Sequence, residues 1–137
     1  MKTLTEQQIF NRVTKHLLKQ NKRSSRKLPA VTTSRHLVCQ YRGPNGTMCA
    51  VGCLIPDRLY TENLDASGMD VTFTEVKRVL VKAGVMGNID STLRVDFLRS
   101  LQLIHDDGKP YKWPKKLRDF AKKHGLKTHG LGLEIKK

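Results

Sequence analysis

An apolar residue recurs every three or four positions between Asp90 and Gly108, and this period constrains the fold more than any other feature of the sequence. The apolar positions are Leu93, Phe97, Leu98, Leu101 and Ile104. A capping residue stands before them, at Asp90 or Ser91, and a glycine follows them, which are ordinary start and stop signals of an α-helix. The pattern therefore predicts a helix with one face buried in a protein core.

Three further segments, 5–19, 72–84 and 113–125, have the same type of pattern. In the first of them, Thr5 and Gln8 have the spacing of a capping box. In the last, a proline falls in the first helical turn and a glycine follows the final turn. We expect the core of the protein to contain Phe10, Leu17, Leu54, Leu80, Phe97, Leu101, Leu117 and Phe120.

The block from Cys39 to Asp57 contains all three cysteines and predicts a β-hairpin. Residues 36–42 include β-branched and aromatic side chains, residues 43–46 read Gly-Pro-Asn-Gly, and an apolar run follows at 47–55. A turn rich in glycine, proline and asparagine between two such runs is typical of a hairpin. The predicted fold class is therefore α+β, with about four helices packed on a small β-hairpin.

Length and composition indicate a single domain. A chain of 137 residues, 38% of them hydrophobic, suffices for one modest core, which we place at residues 1–125. Residues 20–35 contain five basic and no acidic side chains and predict a mobile loop. Residues 126–137 predict a basic tail that is either a short edge strand or disordered. No apolar window approaches the ~18 residues of a membrane span and no signal sequence is recognised, so we expect a cytoplasmic protein.

The strongest compositional signal is positive charge. Lys and Arg number 26 against 12 Asp and Glu, which gives a net charge of +14 and a pI near 10.1. Such a balance indicates a polyanionic partner, with a merely solvated surface as the alternative. The candidate phosphate contacts are Arg12, Lys15, Lys19, Lys22, Arg23, Arg26, Lys27, Arg35, Lys112, Lys115, Lys116, Lys122 and Lys123. Tyr111 and Trp113 are candidates for stacking on exposed bases, although the position of Trp113 also suits a core.

Four residues have the chemistry of zinc ligands: His36, Cys39, Cys49 and Cys53. They form two pairs with internal spacings of three and four, and nine residues separate the pairs, as in a zinc knuckle. Cysteine is also a small apolar side chain, so reduced thiols in the core are the alternative. No other cofactor is predicted.

An enzyme is the less favoured hypothesis. A cysteine nucleophile would need a base and an orienting group, for which His105 and Asp106 are the candidates. Adjacent residues on a helix do not face each other, so we do not expect Asp106 to orient His105. The same pair with Asp107 is a candidate for holding a divalent ion in nuclease chemistry, but no second carboxylate cluster accompanies it.

The sequence resembles a group of small uncharacterised proteins encoded by tailed bacteriophages. The first shared motif corresponds to Cys39, Tyr41, Arg42, Gly43, Pro44, Gly46, Cys49, Ala50, Gly52, Leu54, Ile55, Pro56 and Asp57. The second corresponds to Leu101, Gln102, Ile104, His105, Asp106 and Trp113. In that pattern the Cys53 position can hold another small residue, which favours Cys39 and Cys49 as paired positions. The resemblance implies a phage protein acting in the bacterial host cytoplasm and implies no particular reaction.

These observations favour a non-enzymatic protein that binds DNA or RNA through the phosphate backbone with little reading of the bases. Such a protein would act on transcription or genome handling during host takeover. The alternative is a basic inhibitor that binds an acidic host protein, such as a nucleic-acid enzyme or a defence factor. A Cys/His enzyme is the third hypothesis. The sequence does not distinguish DNA from RNA, and it does not indicate the oligomeric state.

Overall fold

Helices form most of the computed structural model, which describes residues 3–27, 37–66, 70–107 and 109–133. The helices of these residues are α1 (Glu6–Gln20), α2 (Asn63–Ala66), α3 (Thr74–Lys82), α4 (Thr92–Asp106) and α5 (Trp113–His124). Single 3-10 turns occur at Pro44–Gly46, Gly52–Leu54, Asp57–Leu59 and Pro110–Lys112. Two three-residue strands, β1 (Ser25–Lys27) and β2 (Leu37–Cys39), pair antiparallel with Arg26 opposite Val38.

The predicted α+β fold is wrong, because the domain is helical and residues 37–55 do not form a hairpin. Its apolar run is buried without alternation: Ala50 and Val51 are both inaccessible, as are Leu54 and Ile55. A strand with one solvent-exposed face would bury every second residue instead. The run folds into a 3-10 turn, in which the Leu54 amide donates to the Val51 carbonyl at 2.9 Å.

The four predicted helices are present, and the predicted capping box of α1 and the predicted glycine after α5 are both confirmed. The Thr5 hydroxyl accepts from the Gln8 amide at 3.1 Å, and the Gln8 side chain accepts from the Thr5 amide at 2.9 Å, which completes the capping box. Gly125 ends α5 with a left-handed φ of 66°. No helix in the described part of the chain is long and apolar enough to cross a membrane.

The core lies where α1, α4 and α5 meet. Phe120 stacks on Phe10 at 5.8 Å between ring centroids and meets Phe97 at 5.3 Å. All eight predicted core residues are buried, so that prediction is confirmed. Leu93 is the exception in the predicted apolar stripe: it lies in the first turn of α4 and is 83% exposed.

Candidate nucleic-acid interface

The solvent face of α1 carries an unbroken row of basic side chains. Arg12, Lys15 and Lys19 are spaced by three and four residues, so they project from one side of the helix, and all three are exposed. The opposite side of α1 is buried through Ile9 and Val13, among others. Within the described part of the chain, none of the three basic residues forms an ion pair. The row therefore presents uncompensated positive charge to solvent.

The segment 126–133 joins this face to α5. Gln7 of α1 donates to the Lys127 carbonyl at 2.9 Å and accepts from the Lys127 amide at 2.8 Å. At the other end of the segment, Arg118 of α5 donates to the Leu133 carbonyl at 3.2 Å, and the Leu133 side chain is buried. These residues belong to the predicted tail, and their hydrogen bonds hold them against both helices; residues 134–137 lie outside the described part.

Basic residues from both ends of the sequence lie on the elements that this packing joins. Lys127 lies beside α1, and Lys122 lies on the last turn of α5, where the segment begins; both are exposed. We call the resulting set the α1–α5 basic surface, and it comprises Arg12, Lys15, Lys19, Lys122 and Lys127. A carboxylate in an ion pair with any of these five is absent from the described residues.

The remaining lysines of α5 and its approach are placed differently. Lys115 forms an ion pair with Asp119 at 3.0 Å, and Lys116 donates to the Asp107 carbonyl at 3.4 Å. Three other predicted contacts are exposed, namely Lys22, Lys112 and Lys123. The predicted contacts whose side chains lie outside the described part of the structure are Arg26, Lys27 and Arg35; the backbone of the first two forms β1.

Two further predicted contacts are engaged with residues of α4. Trp113 is fully buried, and its ring stacks on the His105 ring with 5.6 Å between centroids. Arg23 is partly buried and donates from Nη2 to the Asp106 carbonyl at 2.5 Å, at the C-terminal end of α4, where a cation is favourable. An indole with no exposed face has no surface on which a base can stack. We therefore omit both residues from the α1–α5 basic surface.

His105 and Asp106 do face each other, so the expectation that neighbours on a helix cannot do so is wrong. The Nδ1 atom of His105 lies 2.7 Å from Oδ1 of Asp106, near the last turn of α4. The Nε2 atom accepts from the Ser24 backbone amide at 2.9 Å, so the ring hydrogen is on Nδ1 and is donated to Asp106. Both nitrogens are occupied and the ring is fully buried, so His105 is a structural link between α4 and the chain after α1.

A second polar centre, which the sequence did not reveal, holds the block after Cys39. Arg42 donates to the Gly52 carbonyl at 2.8 Å and to the Ile55 carbonyl at 2.6 Å, and it forms an ion pair with Asp57 at 3.0 Å. Its guanidinium also lies 4.9 Å from the centre of the Tyr60 ring. One arginine thus satisfies two carbonyls of the apolar run that follows Cys49.

The buried carboxylate of Asp65 completes this centre. It accepts from the Tyr41 amide at 2.8 Å, the Arg42 amide at 3.2 Å and the Tyr60 hydroxyl at 2.5 Å. Burial, followed by the hydrogen bond to Asp65, raises the pKa of Tyr60 to about 12. The spacing between Asp65 and its partners has no regular period, so the contact could not be predicted from the sequence.

The described cysteines have the contacts of core thiols. Cys49 is buried and its sulfur accepts from the Gly52 amide at 3.3 Å, while the Cys53 sulfur donates to the Ala50 carbonyl at 3.0 Å. Burial, followed by the neighbouring Cys49, raises the pKa of Cys53 to about 12, so this thiol is a poor nucleophile at neutral pH. His36 and the Cys39 side chain lie outside the described residues, so the four-ligand zinc site stays a prediction.

No protein-family model, curated protein or solved structure was found to match this chain. Its function is therefore inferred from its own charges and contacts.

Proposed function

We propose that this protein binds nucleic acid through phosphate contacts made by the α1–α5 basic surface. The observation that carries the proposal is the joining of two basic clusters from opposite ends of the sequence by the bonds between Gln7 and Lys127. Five cations on adjoining elements match the repeated negative charge of a nucleic-acid backbone. The resemblance to phage proteins supports a role in the host cell, on transcription or genome handling.

The surface favours affinity for phosphates over reading of bases. Contacts of lysine and arginine to phosphates carry no sequence information of their own. Trp113 is buried and offers no face on which a base could stack. Tyr111 is 71% exposed beside Lys112, but it lies on the turn before α5 and does not belong to the α1–α5 basic surface. Each phosphate contact releases condensed counterions, so binding should weaken steeply as salt is raised.

A pair of double variants with equal charge change tests the location of the surface. Lys15→Glu with Lys19→Glu removes two cations from α1, and Arg78→Glu with Lys82→Glu makes the same change on exposed positions of α3. Binding to labelled duplex DNA, single-stranded DNA and RNA is measured for each over a range of salt concentrations. The α1 variant should weaken binding, and its log–log salt slope should fall by about 2, one unit for each lost phosphate contact. The α3 variant should retain most of the binding affinity and most of the salt slope.

Equal losses in the two variants would show that net charge alone governs binding and would contradict the proposed surface. Absence of binding by the unaltered protein at low salt would contradict nucleic-acid binding itself. In that case capture of a partner from nuclease-treated host lysate would favour the basic inhibitor of an acidic host protein, because such a complex does not need nucleic acid.

A further inference from the structure

Tyr111 is the most exposed aromatic side chain in the described part of the chain. It is 71% exposed and lies on the turn Pro110–Lys112, which precedes α5. The Lys112 ammonium lies 5.8 Å from the centre of the Tyr111 ring. Because most of the residue is exposed, the ring keeps open surface against which a second flat group can lie. The ring is therefore accessible to a ligand.

The lysines on either side of Tyr111 add uncompensated positive charge. Lys109 and Lys112 are both exposed. Neither of them forms an ion pair with Asp107 or with any other acidic side chain of the described residues. An exposed ring with cations one and two residues away supplies both parts of a nucleotide contact, because the ring stacks on a base and the ammonium groups neutralise phosphates.

The backbone that carries Tyr111 is held in place. Pro110 has a fixed φ, and the Lys112 amide donates to the Lys109 carbonyl at 2.9 Å, which closes the turn. Trp113 follows directly and is fully buried, so it fixes the end of the turn to the core. A tyrosine side chain has only two rotatable torsions, so a contact made from this turn costs little conformational entropy. The ring is thus preorganised for binding.

We infer that Tyr111 is a stacking platform for an unpaired base, so that the nucleic acid bound by this protein is single-stranded. The inference rests on the proposed function, which supplies the phosphate contacts on α1 and α5. In a duplex the grooves expose only the edges of the bases, whereas an unpaired base offers its face to an aromatic side chain. Every base has such a face, so stacking is tolerant of sequence and agrees with a surface that reads few bases.

Binding of the full chain to single-stranded DNA, to RNA of the same sequence and to duplex DNA tests the inference. The unaltered protein should bind a single strand more tightly than the duplex, and comparison of the two single strands identifies the preferred sugar. Tyr111→Leu should weaken single-strand binding by about tenfold and leave duplex binding nearly unchanged. Tyr111→Phe keeps the ring and should bind as the unaltered protein does. Phe73→Leu, at an aromatic residue that is 47% exposed before α3, is the matched control and should change neither affinity.

Two further readouts distinguish stacking from a loss of charge or of structure. Tyr111→Leu should lower the single-strand affinity without changing the log–log salt slope, because it removes no phosphate contact. Tyr111→Trp adds an exposed indole to a chain whose single tryptophan is buried, and the emission of this indole should be quenched when a single strand binds. Thermal unfolding of each variant should match that of the unaltered protein, since the replaced side chain is mostly exposed.

The outcomes separate this inference from the proposed function. Unchanged single-strand affinity in Tyr111→Leu would overturn the stacking platform and leave the phosphate contacts, which the Lys15→Glu with Lys19→Glu variant tests, unaffected. Equal losses on single strand and duplex would also overturn it, as would an indole at position 111 whose emission does not respond to a single strand. Absence of binding to any nucleic acid at low salt would overturn both the proposed function and the platform.

Discussion

Replacing His105 by phenylalanine tests whether this buried ring is a structural link. Phenylalanine keeps an aromatic ring against Trp113 but has neither nitrogen. The Ser24 amide, in a residue with no solvent exposure, then loses its acceptor, and leaving a buried donor unsatisfied costs about 1–3 kcal/mol. Asp106 keeps the hydrogen bond from Gln102 at 2.9 Å and is 33% exposed, so its share of the cost is small. We expect the free energy of unfolding to fall by about 2 kcal/mol.

The expected change is large enough to measure by thermal unfolding. An unfolding entropy of about 2.1 cal/mol/K per residue gives about 0.29 kcal/mol/K for 137 residues, so a loss of about 2 kcal/mol lowers Tm by about 7 °C. Amide hydrogen exchange at Ser24 should also accelerate in the His105→Phe variant. His129→Phe, at an exposed histidine, is the matched control and should shift Tm by less than about 2 °C.

A second variant separates the lost acceptor from a misfit of the new side chain. His105→Gln offers an amide oxygen near the position of Nε2, so it should retain part of the protection of the Ser24 amide. An unchanged Tm in His105→Phe would refute the structural role that we assign to the Nε2 acceptor. Exchange at Ser24 that is as fast in His105→Gln as in His105→Phe would also count against it.

Three further predictions concern other buried groups. Burial lowers the pKa of His16 from 6.5, so folding favours the neutral ring. The contribution of His16 to stability is therefore fully present above pH 6.5 and declines as pH falls below it, and His16→Gln should flatten this decline in denaturant titrations. Because the pKa of Cys53 is raised to about 12, iodoacetamide at pH 8 should modify it far faster in denaturant than in the native protein, as site-resolved mass spectrometry would show; equal rates would contradict its burial. Gly52→Ala places a methyl group 2.8 Å from the Cα of Tyr41 and should lower the free energy of unfolding by about 3 kcal/mol. The control is Gly87→Ala, whose nearest contact is at 3.8 Å and which should leave the free energy of unfolding nearly unchanged.

The helices and most of the core were predictable because their signals are local. The capping box of α1 and the glycine after α5 act within a few residues, and the apolar period of α4 identifies its buried side without knowledge of its neighbours. Leu93 was misassigned because the period shows which positions share a face and does not show how far the packing partners extend. Its 83% exposure, in the first turn of α4, is a property of the assembled domain.

The block after Cys39 was misread for a physical reason. A strand and a buried compact turn both draw on small and β-branched apolar residues, and a glycine-rich turn suits either. The contacts that decided between them come from elsewhere in the sequence: Asp65 is 24 residues from Tyr41, and Gln102 accepts from the Val51 amide across 51 residues. Such contacts leave no period in the chain.

The candidate surface, too, was partly predictable from the sequence and partly decided by the tertiary structure. Composition alone established the excess of positive charge, because a net charge of +14 does not depend on folding. The tertiary structure decided which of the charged elements adjoin, since the segment 126–133 forms hydrogen bonds to α1 and α5 and brings Lys127 against Gln7. It also removed Arg23 and Trp113 from the surface by burying their polar and aromatic groups against α4. Net charge is a sum over the residues and is the same for any fold, whereas a surface consists of residues that are distant in the sequence and that only packing brings together.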